Sequence, residues 1–221
     1  ERYNYIRKKR TLNMNGQSKY EVLQNYFGYS FFRDGQEELI DSILEGNDVF
    51  GIMPTGAGKS ICYQVPALMF DGITLVISPL ISLMKDQVAA LNQAGIYAAY
   101  LNSSLTQGQY FKALDYARKG KYKIIYVAPE RLLTESFLEF IVHANLSFVS
   151  VDEAHCVSQW GQDFRPGYLK IEEFLRRLPK RPIVGAFTAT ATREVQQDVV
   201  RLLQLSNPKV ITTGFDRSGL A

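Results

Sequence analysis

Between residues 49 and 213 the chain alternates short apolar runs with longer amphipathic stretches. The runs Val49–Met53, Thr74–Ser78, Tyr97–Leu101, Lys123–Val127, Phe148–Val151, Ile183–Phe187 and Lys209–Thr213 are rich in Val, Ile, Phe and Tyr. They lack strict apolar–polar alternation, which is the pattern of strands buried on both faces. The stretches between them include Lys59–Phe70, Leu80–Ala94, Gln107–Lys119, Tyr168–Leu178 and Thr192–Leu203, and these read as helices. Two further helices precede the first run. Ser18 with Glu21 three positions later forms a capping box and opens a helix through Tyr26; a second runs from about Gly35 to Glu45 and stops at Gly46. Strand–helix alternation of this kind predicts an α/β fold, a doubly wound and mainly parallel sheet flanked by helices. Ligands of such sheets lie beyond the carboxyl ends of the strands, so the chemistry is sought just after each apolar run.

The 221 residues are 46% hydrophobic, room for one large domain or two small ones with a full core. No apolar run reaches the roughly 18–20 residues of a membrane span, and no secretory leader pattern is visible, so no membrane partner is expected. Cys62 and Cys156 belong to no CxxC or Cys/His spacing pattern. Sequence spacing therefore predicts neither a zinc site nor a disulfide framework, and two free thiols fit a cytoplasmic setting. The net charge of +3 is concentrated at one end. Arg2, Arg7, Lys8, Lys9 and Arg10 against Glu1 give residues 1–10 a charge of +4, which leaves −1 on the rest. Charge alone thus makes no case for nucleic acid. Residues 1–17 read as a flexible extension or an appended remnant, and residues 18–214 as the domain.

The first apolar run leads into Pro54-Thr55-Gly56-Ala57-Gly58-Lys59-Ser60 and then a helix. Gly56 and Gly58 allow the backbone to turn its N–H groups toward phosphate oxygens, and the helix N-terminus adds positive potential at the same place. Lys59 is expected to reach the β- and γ-phosphates of ATP, and the Ser60 hydroxyl to hold Mg²⁺. The consensus glycine six positions before the lysine is replaced by Met53.

The run Phe148–Val151 ends in Asp152-Glu153-Ala154-His155. A buried strand delivering two acids beyond a phosphate loop suits Mg²⁺ binding, partly through water, by Asp152. Glu153 is then the group that orients and deprotonates an attacking water. His155 is placed to relay the state of the γ-phosphate. Another run ends in Thr188-Ala189-Thr190-Ala191-Thr192, where Thr188 and Thr190 suit a coupling switch near the acids. A helix N-cap at Thr190 or Thr192 is compatible with that role.

Five segments together resemble the RecQ family of superfamily 2 DNA helicases, in the family's order, over about residues 20–217. Phe27-Gly28-Tyr29-Ser30-Phe31-Phe32-Arg33-Asp34-Gly35-Gln36 is similar to its adenine motif, which implies base contacts by Tyr29, Arg33 and Gln36. Ser78-Pro79-Leu80-Ile81-Ser82-Leu83-Met84-Lys85-Asp86-Gln87 resembles a motif that lies along the DNA backbone. Asn102-Ser103-Ser104 and Ala128-Pro129-Glu130-Arg131-Leu132 resemble neighbouring strand-tracking segments. The resemblance therefore implies DNA contacts at Ser78, Lys85, Asn102, Ser103 and Arg131. Ser158-Gln159-Trp160-Gly161-Gln162-Asp163-Phe164-Arg165-Pro166 resembles the family's aromatic-rich loop, implying that Trp160, Phe164 and Arg165 meet unpaired bases and that Gln162 takes part in coupling. Composition alone favours a loop pinned by buried Trp160 and Phe164. Gln162 stands where the family commonly has His, and a glutamine cannot carry that proton or charge.

The resemblance implies the first of two RecA-like lobes, of P-loop NTPase type, in a 3′-to-5′ helicase working on single-stranded or partly unwound DNA. Gly214-Phe215-Asp216-Arg217 resembles the entry to a second RecA-like lobe, so residues 215–221 are expected to begin a linker. An isolated first lobe is expected to hydrolyse ATP slowly and not to unwind duplex. An RNA-dependent ATPase or a nucleotide-gated binding module remain the competing readings at this level.

Overall fold

The computed structural model describes residues 12–214. The resemblance to a lobe entry at Phe215, Asp216 and Arg217 lies outside them, as do the basic residues of the N-terminal stretch. Two helices lead in, α1 (Lys19–Phe27) and α2 (Gln36–Leu44). The Ser18 hydroxyl accepts from Glu21 N while the Glu21 carboxylate accepts from Ser18 N, so the capping box is complete. Then β1 (Val49–Ile52), α3 (Lys59–Met69), β2 (Ile73–Ile77), α4 (Ile81–Gln93), β3 (Ala98–Leu101), α5 (Gln107–Arg118) and β4 (Ile124–Val127) follow. The chain continues through α6 (Glu135–His143), β5 (Leu146–Val151), α7 (Lys170–Arg177), β6 (Ile183–Thr188), α8 (Arg193–Leu202) and β7 (Lys209–Thr212).

All seven strand-like runs are strands of one sheet, in the order β3-β4-β2-β5-β6-β1-β7. Every pairing is parallel. In the inner strands alternate side chains enter opposite cores, whereas the edge strand β7 is largely exposed. Phe50, Ile52, Leu75, Ile77, Ile125 and Val127 pack under α5–α8, against Leu114, Phe137, Phe174 and Val199. Val49, Val76, Ile124 and Tyr126 face α2–α4, against Leu39, Tyr63 and Val88. The helices therefore cover both faces, which explains why the strand sequences are apolar without alternation.

Two expectations need adjustment. The stretch 168–178 is not one helix: a 3₁₀ turn, Pro166–Leu169, precedes α7. Helix α6 (Glu135–His143) is not among the helices expected from sequence, although its buried Phe137, Phe140 and Ile141 stand at the i, i+3, i+4 spacing of one helical face. His143 ends that helix, its Nδ1 2.9 Å from Glu139 O.

At the amino ends of the strands, buried Asp48 ties three of them together. Its carboxylate accepts from Val184 N at 2.9 Å, from Ser206 N at 2.7 Å and from the Arg181 guanidinium at 2.5 and 3.2 Å. Its carbonyl accepts from Lys209 N at 2.9 Å. This brace sets β1, β6 and β7 in register, and so fixes what emerges at their carboxyl ends.

Candidate nucleotide site

The strand order puts three carboxyl ends side by side, those of β5, β6 and β1. The phosphate loop leaves β1, Thr188 ends β6, and Asp152 follows β5. Met53 N donates to Thr188 O at 2.9 Å across the first gap. A cleft of about 660 Å³ opens above them, lined by Thr55, Gly56, Lys59 and Ser60 on one side and Asp152 and Glu153 on the other. That volume is typical of a small-ligand site.

The loop conformation depends on its glycines. Gly56 and Gly58 have φ of 85° and 80°, in the left-handed region that a side chain disfavours. A Cβ on Gly58 would also lie 2.6 Å from Gln36 Nε2. Gly58 caps α3, whose first residues are Lys59 and Ser60, so their side chains start at the helix N-terminus. Lys59 Nζ donates to Met53 O at 3.3 Å, across the loop that it closes.

Tyr29, Arg33 and Gln36 line the same cleft. Arg33 Nη1 donates to Gly56 O at 2.7 Å, and the guanidinium carbon lies 5.9 Å from the Tyr29 ring centre. Gln36 is buried; its Nε2 donates to Ala57 O and Gly58 O at 3.1 and 3.0 Å, and its Oε1 accepts from Arg33 N at 2.8 Å. In this state the amide braces the phosphate loop. Reaching a base would require it to give up these bonds, a relationship that sequence spacing did not reveal. Tyr29 is half exposed and available for stacking.

Across the cleft, Asp152 is buried, held by Asp152 N donating to Ile77 O and by Glu153 N donating to its own Oδ1. Burial, reinforced by the adjacent Glu153 charge, pushes its carboxyl up to about 6. Glu153 has φ of 47°, a left-handed conformation that is uncommon for a residue with a side chain. His155 Nδ1 lies 3.3 Å from Glu153 Oε2 and 2.6 Å from Thr188 Oγ1. Thr188 spends its single proton on Thr190 O at 3.2 Å, so the imidazole must be the donor to its oxygen. The acid, the histidine and the β6 switch therefore form one connected network. Thr192, rather than Thr190, caps α8 through Val195 N.

The loop after this network is closed by Arg165 N donating to Cys156 O, and by Tyr168 Oη donating to the Asp152 carbonyl at 2.8 Å. Trp160 is 76% exposed, which excludes the expectation from composition that it pins the loop by burial. Phe164 is partly buried, Arg165 pairs with Asp163 at 3.0 Å, and Gln162 is exposed.

The expected strand-contact residues divide. Lys85 and Ser103 are exposed at the surface. Ser78 and Asn102 are buried, so their side chains cannot meet a strand directly. The Asn102 oxygen instead accepts from Ser104 N and Oγ at 3.0 and 2.7 Å, while Ser78 Oγ is an unsatisfied buried hydroxyl. Arg131 is partly buried over the Tyr110 ring at 4.8 Å, with Nη2 donating to Asn102 O.

Residues 33–199 match the DEAD/DEAH box helicase family model. The chain is 50% identical over 200 residues to the ATP-dependent DNA helicase RecQ of Bacillus subtilis, covering 90% of this chain and 34% of that protein. It is 42% identical over 207 residues to ATP-dependent DNA helicase Q1 of Mus musculus, covering 90% of this chain and 32% of that one. The chain thus spans about a third of the length of these curated relatives. Among solved structures, a hypothetical ATP-dependent RNA helicase from Sulfolobus tokodaii superposes with a TM-score of 0.70 at 24% identity, over 88% of this chain and 56% of that one. The DUF1998 helicase MrfA bound to DNA gives a TM-score of 0.70 at 16% identity, over 89% and 28% of the two chains. These structural likenesses concern the fold, which is RecA-like. With the family model covering most of its length and 50% identity to a RecQ protein over 90% of it, the chain belongs to the DEAD/DEAH box helicase family and is a RecQ-type N-terminal helicase lobe.

Proposed function

We propose that the cleft binds ATP with Mg²⁺ and that the domain is the nucleotide-binding half of a 3′-to-5′ DNA motor. The observation that carries this is the convergence of Lys59 and Ser60 with Asp152 and Glu153 on one cleft, from strands separated only by β6. The donors are a hydroxyl and a carboxylate, an all-oxygen set that fits Mg²⁺. Bound there, the ion would neutralise charge on the transferring phosphoryl group. Pro54, Thr55, Gly56, Ala57 and Gly58 supply the turn and its amides, Lys59 contacts the terminal phosphates, and Ser60 and Asp152 hold the metal. Glu153 orients and deprotonates the water. His155 donates to Thr188, so a shift of Glu153 is transmitted to β6 and the segment ending in Thr190.

Single-stranded or partly unwound DNA is the proposed track, with exposed Lys85, Ser103 and Trp160 at its surface and Phe164 and Arg165 nearby. A second RecA-like lobe completes the motor and supplies arginines that stabilise phosphoryl charge, an effect worth about 10³–10⁵ in rate. Without it this lobe turns over slowly and does not separate strands. The setting is cytoplasmic.

Binding of a fluorescent ATP analogue with Mg²⁺ tests the reading. Lys59→Ala should abolish binding, whereas Glu153→Gln should retain it while stopping single-turnover hydrolysis in a protein carrying both lobes. Equal binding by wild type and Lys59→Ala would overturn the site. Comparing ATPase stimulation by single-stranded DNA and RNA of matched sequence then distinguishes a DNA motor from an RNA remodeller.

A further inference from the structure

Three potential metal ligands lie together at the edge of the coupling network, which uses Nδ1 of one of them, His155, and neither of the other two. His155, Cys156 and Asp163 each present a ligand atom, and the three atoms fall within 4.8 Å of one another. Cys156 Sγ is 3.8 Å from His155 Nε2 and 3.8 Å from Asp163 Oδ2. In a tetrahedral site with bonds of about 2.0–2.3 Å, neighbouring donors stand roughly 3.3–3.8 Å apart. Two edges of such a site are therefore nearly at their final length, and the exposed Asp163 closes the third if its ion pair with Arg165 shifts.

The surroundings are those of a ligand set. Nδ1 of His155 is engaged by Thr188 and the Glu153 carboxylate, which leaves Nε2 as the ring nitrogen that faces the thiol. A hydrogen-bonded histidine of this kind is the usual partner of a bound cation. Arg165 Nε and Nη2 both donate to Asp163 Oδ2, at 3.2 and 3.0 Å, the oxygen that also faces the thiol, so a bound cation must share that oxygen with the guanidinium or displace it. Thiolate and carboxylate together balance a dication, and the solvent side leaves the fourth position for water. One sulfur and one imidazole favour a borderline-soft ion such as Zn²⁺ over Mg²⁺.

We propose that His155, Cys156 and Asp163 form a second cation site, for a zinc-class divalent ion, distinct from the nucleotide-bound Mg²⁺. Binding forms three metal–ligand bonds and releases the Cys156 proton to solvent. It joins the 3₁₀ turn Ala154–Val157 to the far side of the loop that carries Trp160. Occupancy therefore restrains that loop at both ends and ties it to the histidine that donates to Thr188.

The test uses the 221-residue chain without nucleotide, titrated with Co²⁺ as an optical substitute and with Zn²⁺ in competition. Trp160 is the only tryptophan, so its fluorescence reports on this loop alone. The expected result is one equivalent of Co²⁺ with a thiolate charge-transfer band, displaced by Zn²⁺ but not by excess Mg²⁺, and a rise in Trp160 anisotropy. Asp163→Asn, at an exposed position, should weaken the affinity by roughly tenfold or more. Cys156→Ser, checked for folding by circular dichroism, should lose the band. No band in the folded wild type, displacement by Mg²⁺, or a band of undiminished affinity in Asp163→Asn would each overturn the proposal.

Discussion

His155 Nδ1 donates to Thr188 Oγ1 across 2.6 Å, although 33 residues separate them in the chain. The bond joins the end of β5 to the end of β6, the strand lying between the acids and the phosphate loop. Thr188 is buried, so its hydroxyl has no water to replace the histidine. Thr188→Val keeps the shape and deletes both the acceptor and the donor to Thr190 O. The expected outcome is unchanged nucleotide affinity with DNA-stimulated turnover lowered about tenfold, the rate equivalent of one hydrogen bond of roughly 1.4 kcal/mol. Steady-state ATPase with and without single-stranded DNA, in a protein with both lobes, measures it. Equal loss of basal and stimulated rates would place Thr188 in hydrolysis rather than in coupling.

Asp152 predicts a pH dependence of stability. Its carboxyl stands at about 6 in the folded domain against an ordinary 3.8. Between those values the folded state holds a proton that the unfolded chain has released. Stability of the metal-free domain should therefore fall as pH rises from about 4 to 6, and stay lower above that. Asp152→Asn removes the cost, so the variant should be more stable than wild type at pH 7, by up to ~3 kcal/mol, and equal to it near pH 4. Urea unfolding at the two pH values checks both statements. Because Mg²⁺ requires the carboxylate, apparent Mg²⁺–ATP affinity of the wild type should also drop as pH falls below about 6.

The Asp48 brace predicts a stability effect far from the site. Asp48→Ala leaves Val184 N and Ser206 N without their acceptor, while Arg181 keeps Gln204 O and access to water. Each buried N–H left unsatisfied costs about 1–3 kcal/mol. Arg181 is 40% exposed and can turn to water, so Arg181→Ala should cost clearly less than Asp48→Ala. Chemical denaturation of the two variants provides the comparison, and equal losses would show that the backbone acceptors contribute little.

The parts of this fold that were legible in the sequence are those governed by local rules. The apolar runs became strands because a strand covered on both faces has no polar side to display; β7, largely exposed at the sheet edge, is the exception. The phosphate loop could be placed because Gly56 and Gly58 precede Lys59 at a spacing that only a tight turn uses. What stayed hidden depends on contacts between distant segments. Nothing near Gln36 in sequence shows that its amide holds the carbonyls of Ala57 and Gly58. Nothing near Ser78 or Asn102 shows that both side chains turn inward, since a polar residue at a strand end looks the same whether it meets solvent or a neighbouring loop. Cys156 carries no metal signature in the sequence because its nearest ligand-type neighbours, His155 and Asp163, match no familiar metal spacing.

Trp160 offers the sharpest separation of a structural from a functional role. The ring is 76% exposed, while the loop beneath it is closed by backbone and polar bonds: Arg165 N to Cys156 O, Trp160 N to Ser158 Oγ at 3.2 Å, and Ser158 Oγ to Asp198 at 2.8 Å. None of these bonds uses the indole. Trp160→Ala should therefore change the unfolding free energy by no more than about 0.5 kcal/mol. Stacking of a base on an aromatic ring is worth about 1–3 kcal/mol, so the same variant should bind single-stranded DNA roughly 5- to 150-fold more weakly if the ring meets a base. Trp160→Phe, which keeps a π face, should recover most of that loss. Anisotropy of a labelled oligonucleotide and urea midpoints, measured on the same three proteins, decide the matter. A fall in stability with unchanged DNA affinity would mean that the indole is part of the loop's packing and that the nucleic-acid contact lies elsewhere.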